Sequence, residues 1–411
     1  MKILLLSTFD NRGGAARAGF RLCEGLRAAG HEAKMLVQEK SEDLDFVELP
    51  DHFLFRRFSK LRGYLDLIPG ILLSREKILF SIGWLPSKFV NRKIAGFNPD
   101  IIHLQWVNKG FINLESLTEI KKPVVWTLHD MWAFTGGCHY AYECDRYLTG
   151  CGKCPILHSK REKDLSWYLY KRKKKIFSLI PSLTIITPSN WLTDLAQKSG
   201  IFGGHPVIKI PYAININIYK KTDSSLAKKR LGLPEDKKLI LFNAVNATTD
   251  ERKGYRYLMS ALESMDLKDV GVVIVGADRL SGLEPPGLDV YLLGFITDTD
   301  LMVESYNACD IFVLPSLQDN LPNTVLESLA CATPVVAFNT GGIPDMIEHK
   351  KNGYLADYKS VADLADGIRW CLHDADARTL SDNARQKILN EFSEEIIIQK
   401  HLKLYHELLN K

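Results

Sequence analysis

Asp319 and Glu327 are two carboxylates eight positions apart, set after the apolar run Phe312-Val313-Leu314 and the break Pro315-Ser316. The run reads as a strand, Asp319 falls on a loop, and a helix is expected from near Asn323 with Glu327 in its first turns. Carboxylates so placed can point into one cleft, and free backbone N–H groups near Asn323 and Thr324 can hold an anion between them. Gly341-Gly342-Ile343 adds a flexible turn after the next strand. Arg252-Lys253-Gly254 follows another apolar run and opens a helix. Two cations beside free N–H groups suit a diphosphate, although a solvated charged turn is the usual explanation for such a run. Gly13-Gly14-Ala15 lies shortly after the first strand-like run, where glycine lets a phosphate approach the backbone. It lacks the G-x-G-x-x-G spacing of a dinucleotide fingerprint, and a tight turn without a ligand is equally open. His129-Asp130 closes a further strand. His129 can hydrogen-bond a substrate hydroxyl or carbonyl there, and the competing reading is a cap on the next turn.

Four of the eight cysteines, Cys138, Cys144, Cys151 and Cys154, fall within 17 residues. The two-residue gap of Cys151-Gly152-Lys153-Cys154 is the one structural zinc favours, with His139 as an alternate ligand. The other gaps, of five and six residues, are less regular than a zinc ribbon, so free thiols and disulfides formed on purification stay open. A bound metal is expected to staple this loop and not to act in catalysis. Eight cysteines are few for this length, which fits a reducing compartment.

The elements that must position these residues repeat a strand–helix alternation. Lys2 to Ser7, Lys34 to Gln38, Ile101 to Leu104, Val124 to Leu128 and Ser182 to Thr187 read as strands, with a helix over Ala16 to Ala29 stopped by Gly30. A second series runs over Leu239 to Asn243, Val272 to Val275, Val290 to Leu293, Ile311 to Leu314 and Val335 to Ala337. Such alternation predicts parallel sheets with helices on both faces, and ligands at the carboxyl ends of the strands. The expected class is α/β, with two Rossmann-like doubly wound domains. Pro211 to Asp223, rich in Asn and Tyr, reads as the linker. The domains are expected over residues 1–215 and 216–390, with a helix over 391–411 packing back on the first.

Length and composition agree with this. A chain of 411 residues, 46% apolar and 25% charged, is neither disordered, collagenous nor a coiled coil. Its 53 basic against 49 acidic residues give a net charge of +4, too small for a dedicated nucleic-acid binder. No stretch has the roughly eighteen uninterrupted apolar residues of a spanning helix. The apolar start Met1 to Ser7 is too short for a signal-peptide core, so a cytoplasmic location is expected.

Taken together, Pro315-Ser316, Asp319, Glu327-Ser328-Leu329-Ala330 and Thr333-Pro334-Val335-Val336 resemble the E-x7-E signature of family-4 retaining glycosyltransferases, which have the GT-B fold with an interdomain cleft. Gly13-Gly14-Ala15, His129-Asp130, Arg252-Lys253-Gly254 and Gly294-Phe295-Ile296 precede it in matching order, so the resemblance covers nearly the whole chain. It implies that Glu327 holds the ribose of a nucleotide-sugar and Asp319 the transferred sugar near its reacting carbon. Lys253, helped by Arg252, would neutralise the diphosphate, and the backbone of Gly13 and Gly14 would cover it from the other domain. Backbone groups at Gly294, Phe295 and Ile296 would read the base, and His129 would touch donor sugar or acceptor. The family needs no metal cofactor, basic side chains and helix ends taking its place.

Two departures stand out. The first acid is Asp319 where the family usually has Glu. Phe242-Asn243-Ala244 replaces the common Gly-Arg, which leaves Arg252 as the substitute for a second phosphate-binding base. The expectation is a transferase moving a hexose, in our reading glucose from UDP-glucose, onto a glycan or lipid-linked acceptor of cell-surface polysaccharide. Phe53 to Phe58, Lys60 to Arg62 and the basic run Lys171 to Lys175 could dock peripherally on an anionic membrane surface, a solvated helix face being equally open for the last. Two other readings remain: a sugar-nucleotide 2-epimerase, and a non-catalytic, zinc-stabilised binding module on the same scaffold.

Overall fold

The computed structural model describes residues 1–50, 53–74, 79–245, 250–266, 268–280 and 282–411, with backbone alone for 53–57. The side chains of Phe53 to Arg57, in the expected membrane-docking stretch, therefore lie outside the description. The chain forms two units, residues 1–211 with 397–411, and residues 212–396.

The first unit is a parallel sheet of β1 (Lys2–Phe9), β2 (Glu32–Glu39), β3 (Val47–Glu48), β4 (Ile101–Leu104), β5 (Val124–Thr127), β6 (Leu183–Thr187) and β7 (Val207–Lys209). They lie in the order β3-β2-β1-β4-β5-β6-β7, with Leu4 opposite both Lys34 and Ile102. Every residue of β4, β5 and β6 is buried, as expected where helices cover both faces of a parallel sheet. The helix Gly14–Ala28 starts after Gly13, whose φ of 93° suits glycine, and turns Ala18, Leu22 and Leu26 inward. Residues from the last helix, Glu394–Leu409, complete this unit, and Tyr405 Oη meets His103 Nδ1 on β4 at 2.6 Å.

The second unit repeats the plan with β8 (Lys238–Asn243), β9 (Val270–Val275), β10 (Asp289–Leu292), β11 (Ile311–Leu314), β12 (Val335–Phe338) and β13 (Gly353–Ala356). Its order, β10-β9-β8-β11-β12-β13, reverses direction between β8 and β11, the place where open α/β sheets bind ligands.

Some expectations need correction. The strands β3, β7 and β13 escape the sequence pattern because they are two to four residues long, and β13 begins on a glycine. That glycine is required, since a Cβ on Gly353 would sit 2.2 Å from the Val335 carbonyl oxygen. Pro211 to Asp223 is not a slack linker. Arg385 donates to the carbonyls of Ile216, Tyr219 and Ala330 at 2.9, 2.6 and 2.5 Å, and Ile214 exchanges backbone bonds with Phe392 and Glu394. The basic run Lys171 to Lys175 is solvated only in part, with Lys171, Lys174 and Lys175 exposed. It lies on the helix Leu165–Phe177, where Arg172 pairs with Glu115 and Lys173 is buried, donating to the carbonyls of Trp132 and Thr135. No helix among the described residues is long and apolar enough to cross a membrane.

Candidate functional site

In the second unit, the turn after β8 and the loop after β11 are pressed together. Asp250 accepts the Arg252 N–H at 3.0 Å and so shapes the one-turn helix Glu251–Lys253. Gly254 follows at φ 74°, and a Cβ there would lie 1.9 Å from the Pro315 carbonyl oxygen. Glycine is thus what lets the two segments touch. The Leu317 N–H donates to the Arg252 carbonyl at 2.8 Å, fixing the loop against the turn.

This closeness sets the charges. Lys253 Nζ donates to Asp319 Oδ2 at 2.7 Å, and Arg252 Nη1 reaches the same oxygen at 3.4 Å and the Gln318 carbonyl at 3.1 Å. Asp319 is nearly enclosed; burial pushes its carboxyl up, but the charges of Lys253 and Arg252 outweigh that and hold it below the usual range. Gly341, at φ 58°, approaches so closely that a Cβ would lie 2.0 Å from the Asp319 carbonyl oxygen, and the Gly342 N–H donates to that oxygen at 3.1 Å. Two cations and a carboxylate are therefore concentrated at the carboxyl ends of β8 and β11.

Glu327 sits in the helix Asn323–Ala330, which begins just after Pro322, with Asn323 and Thr324 in its first turn. Its side chain is wholly enclosed and accepts the Tyr306 hydroxyl. Burial, and then the Glu327 charge, push that phenol well above its ordinary range, so it stays a donor. Asp319 and Glu327 thus have different partners, the Lys253 and Arg252 cations for one and the Tyr306 hydroxyl for the other. Gly294 follows β10 at φ 63°, accepting the Gly276 N–H at 2.8 Å, and Phe295 beside it is 55% exposed. Ile296 is half-buried.

Gly13, Gly14 and His129 belong to the first unit, at the carboxyl ends of β1 and β5. Gly13 and Gly14 are exposed. His129 Nε2 lies 2.9 Å from Gln105 Oε1, and burial lowers its pKa to about 4, with Asp130 opposing, so the ring is neutral at pH 7. Asp130 accepts the Trp106 indole at 2.8 Å, His139 Nδ1 at 2.7 Å and the Trp132 N–H at 2.8 Å. An open depression of about 300 Å³, lined by residues including Phe9, Arg12, Gln38 and Lys60, lies beside the ends of β1 and β2.

Tyr306 and Gln105 are the participants that sequence reasoning missed. Neither belongs to a recognisable pattern, and each meets its partner only through packing. His139, considered as an alternate zinc ligand, directs its ring nitrogens to Asp130 and Ser81 instead. Cys138, Cys144, Cys151 and Cys154 are free thiols lining one cavity. No three His, Cys, Asp or Glu side chains among the described residues are drawn to coordination geometry.

Comparison with known proteins agrees with this layout. Residues 223–387 match the family model described as glycosyl transferases group 1, and residues 12–217 match that of glycosyltransferase family 4. An uncharacterized glycosyltransferase of Methanocaldococcus jannaschii is 26% identical over 284 residues, 65% of this chain and 70% of that protein. A D-inositol 3-phosphate glycosyltransferase of Geodermatophilus obscurus is 30% identical over 217 residues, 48% of this chain and 47% of that protein, so this alignment spans about half of each. The structure of Anabaena HepE in complex with UDP superposes with a TM-score of 0.64 at 19% identity, covering 99% of this chain and 100% of that one. The fold is GT-B, built of two Rossmann-like domains.

Proposed function

Because the chain belongs to glycosyltransferase family 4, we propose that it moves a hexose, in our reading glucose, from a UDP-sugar to a glycan or lipid-linked acceptor of cell-surface polysaccharide, with retention of configuration. That the protein is a glycosyltransferase follows from the family. The donor, sugar and acceptor are our reading, and neither an epimerase nor a bare binding module gains support from the comparisons.

One observation carries the donor assignment: Lys253 and Arg252 converge on Asp319 at the switch point of the second sheet. A diphosphate entering there competes with Asp319 for the same donors. The carboxylate is then released toward the sugar hydroxyls while the cations stabilise the departing nucleoside diphosphate. Charge that develops on the leaving group as the glycosidic bond breaks is thereby met by groups already in place. Glu327 would take the ribose, the backbone at Gly294 to Ile296 the base, and Gly13, Gly14 and His129 would act from the first unit. The UDP in the Anabaena structure favours uridine. No covalent nucleophile is assigned, and the chemistry we derive draws on no metal cofactor.

The acceptor is assigned to the first unit. On the helix Phe53–Ser74, Leu61, Tyr64, Ile68 and Leu72 are 49, 68, 42 and 75% exposed and recur at helical spacing, which supports an acceptor met at an anionic membrane surface.

Thermal unfolding against UDP, GDP, ADP, UDP-glucose, UDP-galactose and NAD tests the reading. A ligand at a hundred times its dissociation constant stabilises by about 2.7 kcal/mol. A shift with UDP and its sugars alone is expected; a shift only with NAD, GDP or ADP would overturn the donor assignment.

A further inference from the structure

We propose that the depression at the carboxyl ends of β1 and β2 binds a sugar phosphate. The inference rests on the glycosyltransferase reading and names the class of its acceptor, a saccharide with a phosphate group beside the ring.

Gln38, on β2, supplies the first observation. It is 1% exposed and lines the depression from below. Its Nε2 donates to the Lys109 carbonyl at 3.0 Å, which fixes the orientation of the amide, and its Oε1 has no hydrogen-bond partner. A buried acceptor of this kind is destabilising until a donor reaches it. An ionised group has no proton to give it, whereas a sugar hydroxyl has. Phe9, the last residue of β1, forms an apolar wall of the same depression and stacks on Trp106, with ring centroids 6.1 Å apart at 18°. A ring backed in this way offers a flat face to the C–H side of a pyranose.

The charges around the depression leave cations over. Asp10 is consumed within the fold, accepting the Ser41 hydroxyl and N–H, both at 2.6 Å, and the N–H groups of Asn11 and Glu42 at 2.8 and 3.2 Å. Lys40 is held by Asp43 at 2.9 Å. Arg12 and Lys60 are exposed at the rim, and among the described residues neither side chain has an ion-pair or hydrogen-bond partner. Lys109 Nζ lies 5.3 Å from the centre of the Phe9 ring, within electrostatic reach of Glu39 and Arg12. Among the described lining residues, Glu39 is thus the acid left to oppose Arg12, Lys60 and the neighbouring Lys109. A guanidinium and an ammonium at the rim, over a floor that takes a hydroxyl proton, call for an anion on one side of the ligand and hydroxyls on the other. A phosphate monoester carries close to two negative charges at pH 7, enough to answer both rim cations.

Two sources share this chemistry, a free sugar phosphate and the headgroup of a lipid-linked one. Lys60 directly precedes Leu61 on the helix Phe53–Ser74, so a lipid tail leaving the depression would meet that helix's exposed apolar residues.

The test is calorimetric titration of the full chain, saturated with UDP, with glucose, inorganic phosphate, glucose 1-phosphate and glucose linked to farnesyl diphosphate. Glucose 1-phosphate should bind, and glucose at least ~10-fold more weakly. Arg12→Ala and Lys60→Ala, both at exposed positions, should each weaken glucose 1-phosphate roughly 10-fold. Gln38→Leu should weaken glucose 1-phosphate and leave inorganic phosphate unchanged, a split that a merely structural role would not produce. Arg369→Ala, exposed on the second unit, should leave all four titrations as they are. Tighter binding of the farnesyl compound by at least ~10-fold assigns the lipid headgroup, and equal binding assigns the free sugar phosphate. Glucose binding as tightly as glucose 1-phosphate would overturn the proposal. So would Arg12 and Lys60 variants that bind like the unaltered chain, or no binding of either phosphorylated sugar up to about 10 mM. UDP is titrated separately beforehand, so a chain that ignores UDP refutes the donor reading while the sugar titrations, repeated without UDP, still decide this one.

Discussion

The Tyr306 hydroxyl donates to Glu327 Oε2 at 2.9 Å, and the amide of Asn243 donates in turn to that phenol oxygen at 3.1 Å. Asn243 ends β8, so a residue standing where the family usually has Gly-Arg is spent on orienting an acid rather than binding phosphate. Removing the hydroxyl in Tyr306→Phe strips a buried carboxylate of a donor, which costs about 1.5–3 kcal/mol. Urea denaturation should show that loss, and the KM for the donor should rise roughly tenfold with kcat less affected. An unchanged KM would mean that Tyr306 serves stability alone.

Lys253→Ala removes the shorter of the two cation contacts to Asp319. We expect UDP affinity to collapse and turnover to fall by about 10²–10³, the usual scale for losing a preorganised electrostatic partner of a leaving group. Steady-state kinetics with UDP-glucose decides this; near-normal transfer would move the diphosphate elsewhere.

Gly254→Ala forces a Cβ onto the Pro315 carbonyl at a backbone angle that disfavours side chains. A loss of about 1–3 kcal/mol is expected, together with weaker UDP binding, because the same turn carries Arg252 and Lys253. Calorimetric unfolding and titration with UDP would show whether the two losses travel together.

His129 shifts from 6.5 to about 4 because burial favours the neutral ring. A depressed value makes this contribution whole above pH 6.5 and loses it as pH falls from 6.5 toward 4, where the unfolded chain takes a proton that the folded one refuses. The gap corresponds to about 3 kcal/mol. His129→Asn should therefore lose stability less steeply than the unaltered chain over that window, measured by urea midpoints; parallel curves would show that the ring is not shielded as described.

Leu72→Glu puts a charge on the exposed apolar stripe of the helix Phe53–Ser74. Co-sedimentation with anionic lipid vesicles should fall at least ~10-fold. Equal sedimentation of both proteins would remove the membrane from the acceptor reading.

Much of this was legible in the residues. Runs such as Ile311 to Leu314 and Val124 to Thr127 are apolar on every side because parallel sheets bury both faces, and turn glycines such as Gly254 announce themselves. Arg252 and Lys253 stood out because they precede Gly254 after a strand, and Asp319 because it follows a strand eight positions before Glu327. Tyr306 did not, since an aromatic on the helix Thr299–Ala308 looks like ordinary core until Glu327 is found against it. Lys173 misled for the opposite reason: a run of five basic residues reads as one exposed strip, while a helix turns its third member inward.

The hydrogen bond between His103 and Tyr405 spans 302 positions. Its consequence belongs to biosynthesis. The first sheet can assemble early on the ribosome, but His103 on its central β4 keeps a gap beside it until the residues around Tyr405 have been translated and released. The second unit, contiguous from 212 to 396, can finish before the first one does. A premature stop between Ile397 and Tyr405 should therefore damage the amino-terminal unit first, exposing buried His103 and Cys23 to chaperones and proteases while the donor-side unit remains folded.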